Sequence, residues 1–129
     1  MKCPLCDCYP TIFLLKADLR EYWSCPKCGL VFIPPQFFIS KKAEVKRYLE
    51  HDNNLDNEKY VSMFQEKINT IKKVCPKTNI VLDYGCGYEP VLKTLLEREG
   101  YQAHGYDLNF FPNEETQMKY DLVISTETF

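Results

Sequence analysis

Two short cysteine pairs set the strongest constraint on how this chain can fold. Cys3-Pro4-Leu5-Cys6 and Cys25-Pro26-Lys27-Cys28 are both C-x2-C, with 18 residues between Cys6 and Cys25. Each pair predicts a tight turn that aims two thiolates at one point. Two such turns complete a tetrahedron, the geometry of a closed four-cysteine Zn2+ site. The segment that carries them is too short for a self-sufficient apolar core, so metal would supply folding energy. Cys3, Cys6, Cys25 and Cys28 are therefore the expected metal ligands. Cys8 is an alternative to Cys6, although Cys3 with Cys6 reproduces the spacing of the second pair. Buried free thiols are the plain alternative to a metal site, and a redox role would want the motif at the start of a helix. Cys75 and Cys86 fall outside the pattern; Cys75 reads as a small buried residue at a helix end.

Seven cysteines in 129 residues would be a disulfide framework in a secreted protein. The N-terminus has no apolar leader, and no run approaches the ~18 apolar residues of a membrane span. A cytoplasmic protein with no membrane association is the expectation. The formal charge of −2 gives no whole-chain field for nucleic acid. It divides unevenly, +4 over residues 1–48 and −6 over residues 49–129. That asymmetry is explained by two differently decorated surfaces, or by a basic front end that holds an anionic substrate.

Three regions follow one another: 1–36, a ribbon; 37–76, a helical linker; 77–129, the start of an α/β domain. Thr11–Leu15, Glu21–Ser24 and Gly29–Ile33 are strand candidates, and Pro34-Pro35 breaks the chain. Ser40 is placed to cap a first helix with Val45, Tyr48 and Leu49 on one face. Asp56 is the expected cap of a second, in which Tyr60, Met63, Phe64, Ile68 and Ile71 recur at helical spacing. Ile80–Leu82 reads as a buried strand, Pro90–Glu99 as a helix, and Gln102–Asp107 and Tyr120–Ser125 as two further strands. Strand, helix, strand opens an alternating α/β fold with a parallel sheet.

The first of these strands runs into Asp83-Tyr84-Gly85-Cys86-Gly87-Tyr88-Glu89-Pro90. Glycines there let the backbone bend sharply and approach a ligand closely. Asp107 ends the next strand, 24 residues after Asp83, where an acid commonly bonds ribose hydroxyls. A dinucleotide would bring an anionic pyrophosphate, but Pro90 stands where its fingerprint needs a glycine, and Asp83 and Glu89 repel phosphate. S-adenosylmethionine carries an ammonium and a sulfonium and no phosphate, so acids beside the turn attract it.

The sequence resembles the class I S-adenosylmethionine-dependent methyltransferases. Val81–Pro90 looks like their first motif, Gly105-Tyr106-Asp107 like the second, and Tyr120–Glu127 like the fourth. The run Cys25–Phe32 is similar to the zinc-ribbon leader of many small bacterial methyltransferases, in which a helical segment joins ribbon to catalytic domain. The resemblance implies a Rossmann-like α/β domain, met here only in its first part and ending after the fourth motif. It further implies that Asp83, Gly85 and Gly87 line the methionine end of the donor, that Asp107 holds the ribose, and that Ser125, Thr126 and Glu127 border donor and substrate. Glu89 stands where the commoner pattern has a third glycine. Only 13 residues separate Asp107 from Asp121, fewer than a helix and a strand need, so Leu108–Phe111 is the available apolar platform for adenine.

The expected activity is methyl transfer to an acceptor whose class the residues do not specify. Glu127 is the candidate general base, weighed against a solvated strand-end carboxylate. His51 reads as a surface or capping residue and His104 as a packed neutral histidine. Tyr48, Tyr60 and Tyr88 serve equally as pocket walls or as packing. The rival from another class is a non-enzymatic ribbon that binds RNA or protein, supported by Lys16, Arg20, Lys27, Lys41, Lys42, Lys46 and Arg47 near Phe13 and Trp23. Self-association is left open by the short sheet.

Overall fold

A computed structural model describes residues 1–113 and 118–126. It divides into two compact units, Met1–Glu44 and Val45–Phe129. The Glu127 candidate lies outside the described residues.

The first unit holds an antiparallel sheet in the order β1 (Ile12–Ala17), β2 (Arg20–Ser24), β3 (Val31–Phe32). Asp18 and Leu19 both take positive φ, 48° and 60°, which is the backbone of a two-residue hairpin turn matched to strand twist. The β1–β2 register shifts between Phe13 and Leu15, and Phe13 meets Trp23 edge to face at 5.7 Å. Helix α1 (Lys41–Leu49) begins at Ser40, whose Oγ accepts from the Ala43 amide at 3.2 Å. It buries no residue.

Helix α2 (Glu58–Val74) starts one residue later than its sequence suggests. Asn57, not Asp56, is the cap; its side chain accepts from the Tyr60 amide. The reason is local: Asn54 Oδ1 captures the Asp56 amide at 2.9 Å and spends Asp56 on a preceding turn.

The second unit is built on β4 (Ile80–Tyr84), α3 (Val91–Arg98), β5 (Gln102–Tyr106) and β6 (Leu122–Ile124). Its three strands are all parallel, in the order β5-β4-β6. One side of β4 alternates inward, with Val81 level with Ala103 and Leu122, and Asp83 level with Gly105 and Ile124. Helices α2 and α3 supply the facing stripes, Phe64 and Ile68 from one and Val91, Leu92, Leu95 and Leu96 from the other. Together with Val81 and Ala103 these form the apolar core. Full burial of such side chains contributes roughly 1.5–3 kcal/mol each before entropy is charged. Lys72 of α2 pairs with Glu99 at the end of α3, and this holds the Glu99 carboxyl below its ordinary range. Asp121 Oδ2 accepts from the Asn79 and Ile80 amides at 2.9 and 2.8 Å, clamping the start of β6 to the start of β4. Among the described residues no helix is long and apolar enough to cross a membrane.

Candidate functional site

The four expected ligands converge. The sulfur atoms of Cys3, Cys6, Cys25 and Cys28 all lie within 4.8 Å of one another. Cys3 and Cys28 are 3.6 Å apart, as are Cys6 and Cys25. A tetrahedron with zinc–sulfur bonds of ~2.3 Å has edges of roughly 3.8 Å, so the donor set suits such an ion. The two turns that present the thiols share one hydrogen-bond pattern. In the first, the Cys3 amide donates to Cys8 O and the Asp7 amide to Cys3 O. In the second, the Cys25 amide donates to Leu30 O and the Gly29 amide to Cys25 O. Asp7 and Gly29 occupy the same place and both take positive φ, 55° and 75°. Cys8 therefore corresponds to Leu30, the residue that closes the turn, and Cys6 corresponds to Cys28. The cluster of four thiols accordingly contains Cys6 and not Cys8, and the sequence shows this equivalence only once the turns are superimposed by their hydrogen bonds.

Backbone amides also aim at sulfur, Leu5 N at Cys3 Sγ and Cys28 N at Cys25 Sγ. Burial pushes the Cys25 thiol up, but the Cys28 and Lys27 amides and the thiols of Cys28 and Cys6 outweigh it and bring it down to about 6. For Cys6 the Cys8 amide works downward, while burial and hydrogen bonds with Cys25, Cys28 and Cys3 push it to about 12. A metal would displace the protons that such a cluster retains.

A second site lies at the C-terminal end of β4. Gly85 and Gly87 take φ of 85° and 73°, and the turn is held by β5: Tyr106 O accepts from the Gly85 and Cys86 amides at 2.7 and 3.0 Å. Asp107 Oδ2 accepts from the Gly87 amide at 3.1 Å, while Oδ1 accepts from the Asn109 and Phe110 amides. Each carboxylate oxygen has two lone pairs, so Oδ2 keeps one for a further donor. At Gly87 nothing stands within 4 Å of where a side chain would begin, which leaves the backbone open to approach. Cys86 is turned toward β5, where Gly105 makes room for it; a Cβ on Gly105 would lie 3.0 Å from Cys86 Sγ.

The turn forms one wall of a cleft with about 570 Å³ of empty space, its open mouth included. Asp83, Gly85, Cys86 and Gly87 line it from the strand and turn. Tyr48, Asn53, Tyr60, Met63 and Phe64 line it from α1, the α1–α2 connection and α2. Thr126 enters from the end of β6, whereas Ser125 is exposed and is not among the lining residues. Among the described residues no lysine or arginine lines it. Asn53 carried no signal in the sequence, since only the path of the connection after α1 brings it here, while Met63 was legible only as a member of the helical stripe on α2. Tyr88 reaches that connection through its hydroxyl, which donates to His51 O at 2.8 Å. Phe110 stands between Tyr48 and Tyr88, at 6.4 and 5.9 Å.

Comparison of the chain with protein-family models, with curated proteins and with solved structures finds no match.

Asp83 is only 4% exposed. Burial pushes its carboxyl up, and the neighbouring Asp107 carboxylate adds to this, to about 7. A folded-state pKa above the unfolded value means stability that is whole below about pH 4 and lost as pH rises through 7. Asp83→Asn should therefore gain on wild type as pH rises from ~4 to ~8, by roughly 2–4 kcal/mol at the upper end, in denaturant unfolding curves. A gap that does not change with pH would contradict a buried, high-lying carboxyl. Gly105→Ala should cost ~1–3 kcal/mol by the same measurement, and Cys86→Ala in that background should restore most of it.

Proposed function

We propose that the second unit holds S-adenosylmethionine for methyl transfer and that the first holds a structural Zn2+ ion. The observation that carries the donor reading is the reversal of strand order at β4. The chain leaves β4 through α3 to β5 on one side and returns to β6 on the other. In open α/β sheets the crevice outside the carboxyl ends of the strands at such a point is where ligands bind. Here that crevice carries a glycine turn and Asp83, with Asp107 bonded to the Gly87 amide of the turn, and among the described residues no cationic side chain lines it. Those charges favour a cationic ligand over a pyrophosphate.

In this reading Asp83 faces the positive methionine end and the Gly85–Gly87 backbone lies along it. Asp107 uses its remaining lone pair for a ribose hydroxyl. The donor supplies an activated methyl group, so the protein's part is to align a nucleophile and exclude water. Tyr48, Tyr60 and Phe64 provide the apolar wall for that, and Thr126 at the end of β6 borders the place of the acceptor.

The alternative, a ribbon that binds RNA, has one observation in its favour. Phe13, Trp23 and Phe32 are cross-strand partners and form a row over the sheet. Against it, Lys16 lies opposite Glu21, which breaks the basic stripe that a phosphate backbone wants.

Calorimetric titration of the full chain tests the donor reading. S-adenosylmethionine and S-adenosylhomocysteine should both bind saturably, NAD should not, and Asp107→Ala should weaken binding by roughly ten-fold or more, the loss of ~1.5–3 kcal/mol expected for hydrogen bonds to a charged group. Absence of binding by either adenosyl compound would remove the reading. Metal analysis tests the ribbon. One zinc per chain is expected in wild type and in Cys8→Ser, and substoichiometric zinc in Cys25→Ser, which would lose one thiolate of the tetrahedron. Loss of zinc in Cys8→Ser with retention in Cys6→Ser would reverse the ligand assignment.

A further inference from the structure

The first unit holds five cysteines, Cys3, Cys6, Cys8, Cys25 and Cys28, and a tetrahedron takes four. Cys8 is the one left over. It closes the first turn at the place where Leu30 closes the second, so the turn itself needs no thiol there. Its amide points at Cys6 Sγ, as the Leu30 amide points at Cys28 Sγ. Its thiol lies within hydrogen-bonding reach of the Cys25 thiol and feels the charge of Cys6. Cys25 is only 2% exposed, whereas Cys8 is half-buried, so solvent reaches this pair from the Cys8 side.

A spare thiol beside a ligand thiolate is a pair that two-electron oxidation closes into a disulfide. Zinc is held by thiolates, so a sulfur drawn into a disulfide is a ligand lost. Oxidation at Cys8 is thereby tied to the loss of Cys25 from the tetrahedron.

We propose that Cys8 is an oxidation site that opens the zinc centre: a hydroperoxide converts Cys8 and Cys25 to a disulfide, and the metal is released. The inference rests on the zinc reading of the ribbon. In the first step the Cys8 sulfur takes the terminal oxygen of the peroxide. The O–O bond breaks, Cys8 becomes a sulfenic acid, and an alcohol leaves, or water where the oxidant is hydrogen peroxide. In the second step the Cys25 thiolate attacks the Cys8 sulfur. The S–S bond forms, the S–O bond breaks, and hydroxide takes up one proton and leaves as water. Two sulfurs have then given two electrons to one peroxide, and three thiolates remain for the ion. A dithiol reductant reopens the disulfide by exchange, and the site can refill. Burial, and then Cys25, push the Cys8 thiol up, so the first step is slow at neutral pH and calls for peroxide in excess.

The test uses the full chain loaded with zinc, its metal content measured beforehand. Hydrogen peroxide is added in excess, release is followed with a chromophoric zinc chelator, and the products are mapped by mass spectrometry without reduction. Wild type should release its zinc, show a link between Cys8 and Cys25, and take zinc up again after reduction. Cys8→Ser should release zinc at least ~10-fold more slowly, since serine forms no disulfide. Cys8→Leu, which carries the residue of the matching turn, should behave alike and stands in should the serine variant fold poorly. Cys75→Ser, in the second unit, should release zinc as wild type does. Equal release rates in wild type and both Cys8 variants overturn the inference and leave the zinc reading standing. Release with Cys8 unlinked, or linked to a cysteine other than Cys25, overturns it too. A chain that holds no zinc before peroxide is added removes both.

Discussion

The last residues of β5 hold the glycine turn of β4 in place, and most of the second unit depends on that grip. Tyr106 O takes two amides of the turn and Asp107 Oδ2 takes a third. Those amides would otherwise face the cleft unpaired, and a turn with two left-handed glycines would have many alternatives to choose from. Once the turn is fixed, so is the point where α3 begins. Val91, Leu92, Leu95 and Leu96 then fall on the side of the sheet where Val81 and Ala103 stand. The core and the cleft are two faces of the same constraint.

The two units draw their stability from different sources. The first has strands whose large apolar residues are half exposed, Ile12, Phe13, Leu14 and Leu15 among them, and its fully buried side chains include two of the four clustered thiols. The second has a stripe-to-stripe apolar core between helices and sheet. Within it, Asp83 works against folding, since a carboxylate that is nearly fully buried beside another acid is held in its charged form only at a cost. Groups that oppose stability and sit in a cleft are commonly retained for what they do to a ligand.

Much of this was legible before any coordinates. Doubled C-x2-C spacing identifies the four convergent thiols because two short turns and one tetrahedron leave little geometric freedom. The parallel strands are legible because Ile80–Leu82 and Leu122–Ile124 are short apolar runs bounded by turn residues. The helical stripe from Tyr60 to Ile71 is legible by its period, and Phe64 and Ile68 prove to be its buried members. Three things were not. The helix cap moved from Asp56 to Asn57 because two residues of similar chemistry competed, and only the Asn54 turn decided between them. The strand order was hidden because pairing partners across a parallel sheet leave no mark in a single sequence. Asn53 reached the cleft through the path of a connection, which propensity does not encode. The methyltransferase resemblance rests on motif residues alone.

Cys86 and Gly105 fill one volume between them. The thiol occupies the room that a side chain on β5 would take, so neither position is independent of the other. Where Cys86 becomes glycine or alanine in a related chain, position 105 is released and can accept a methyl group. Where Cys86 grows, position 105 has nothing left to surrender, and the strands must separate instead. Sequence drift at this end of the sheet is therefore expected to be paired, with the two sites trading atoms at constant total.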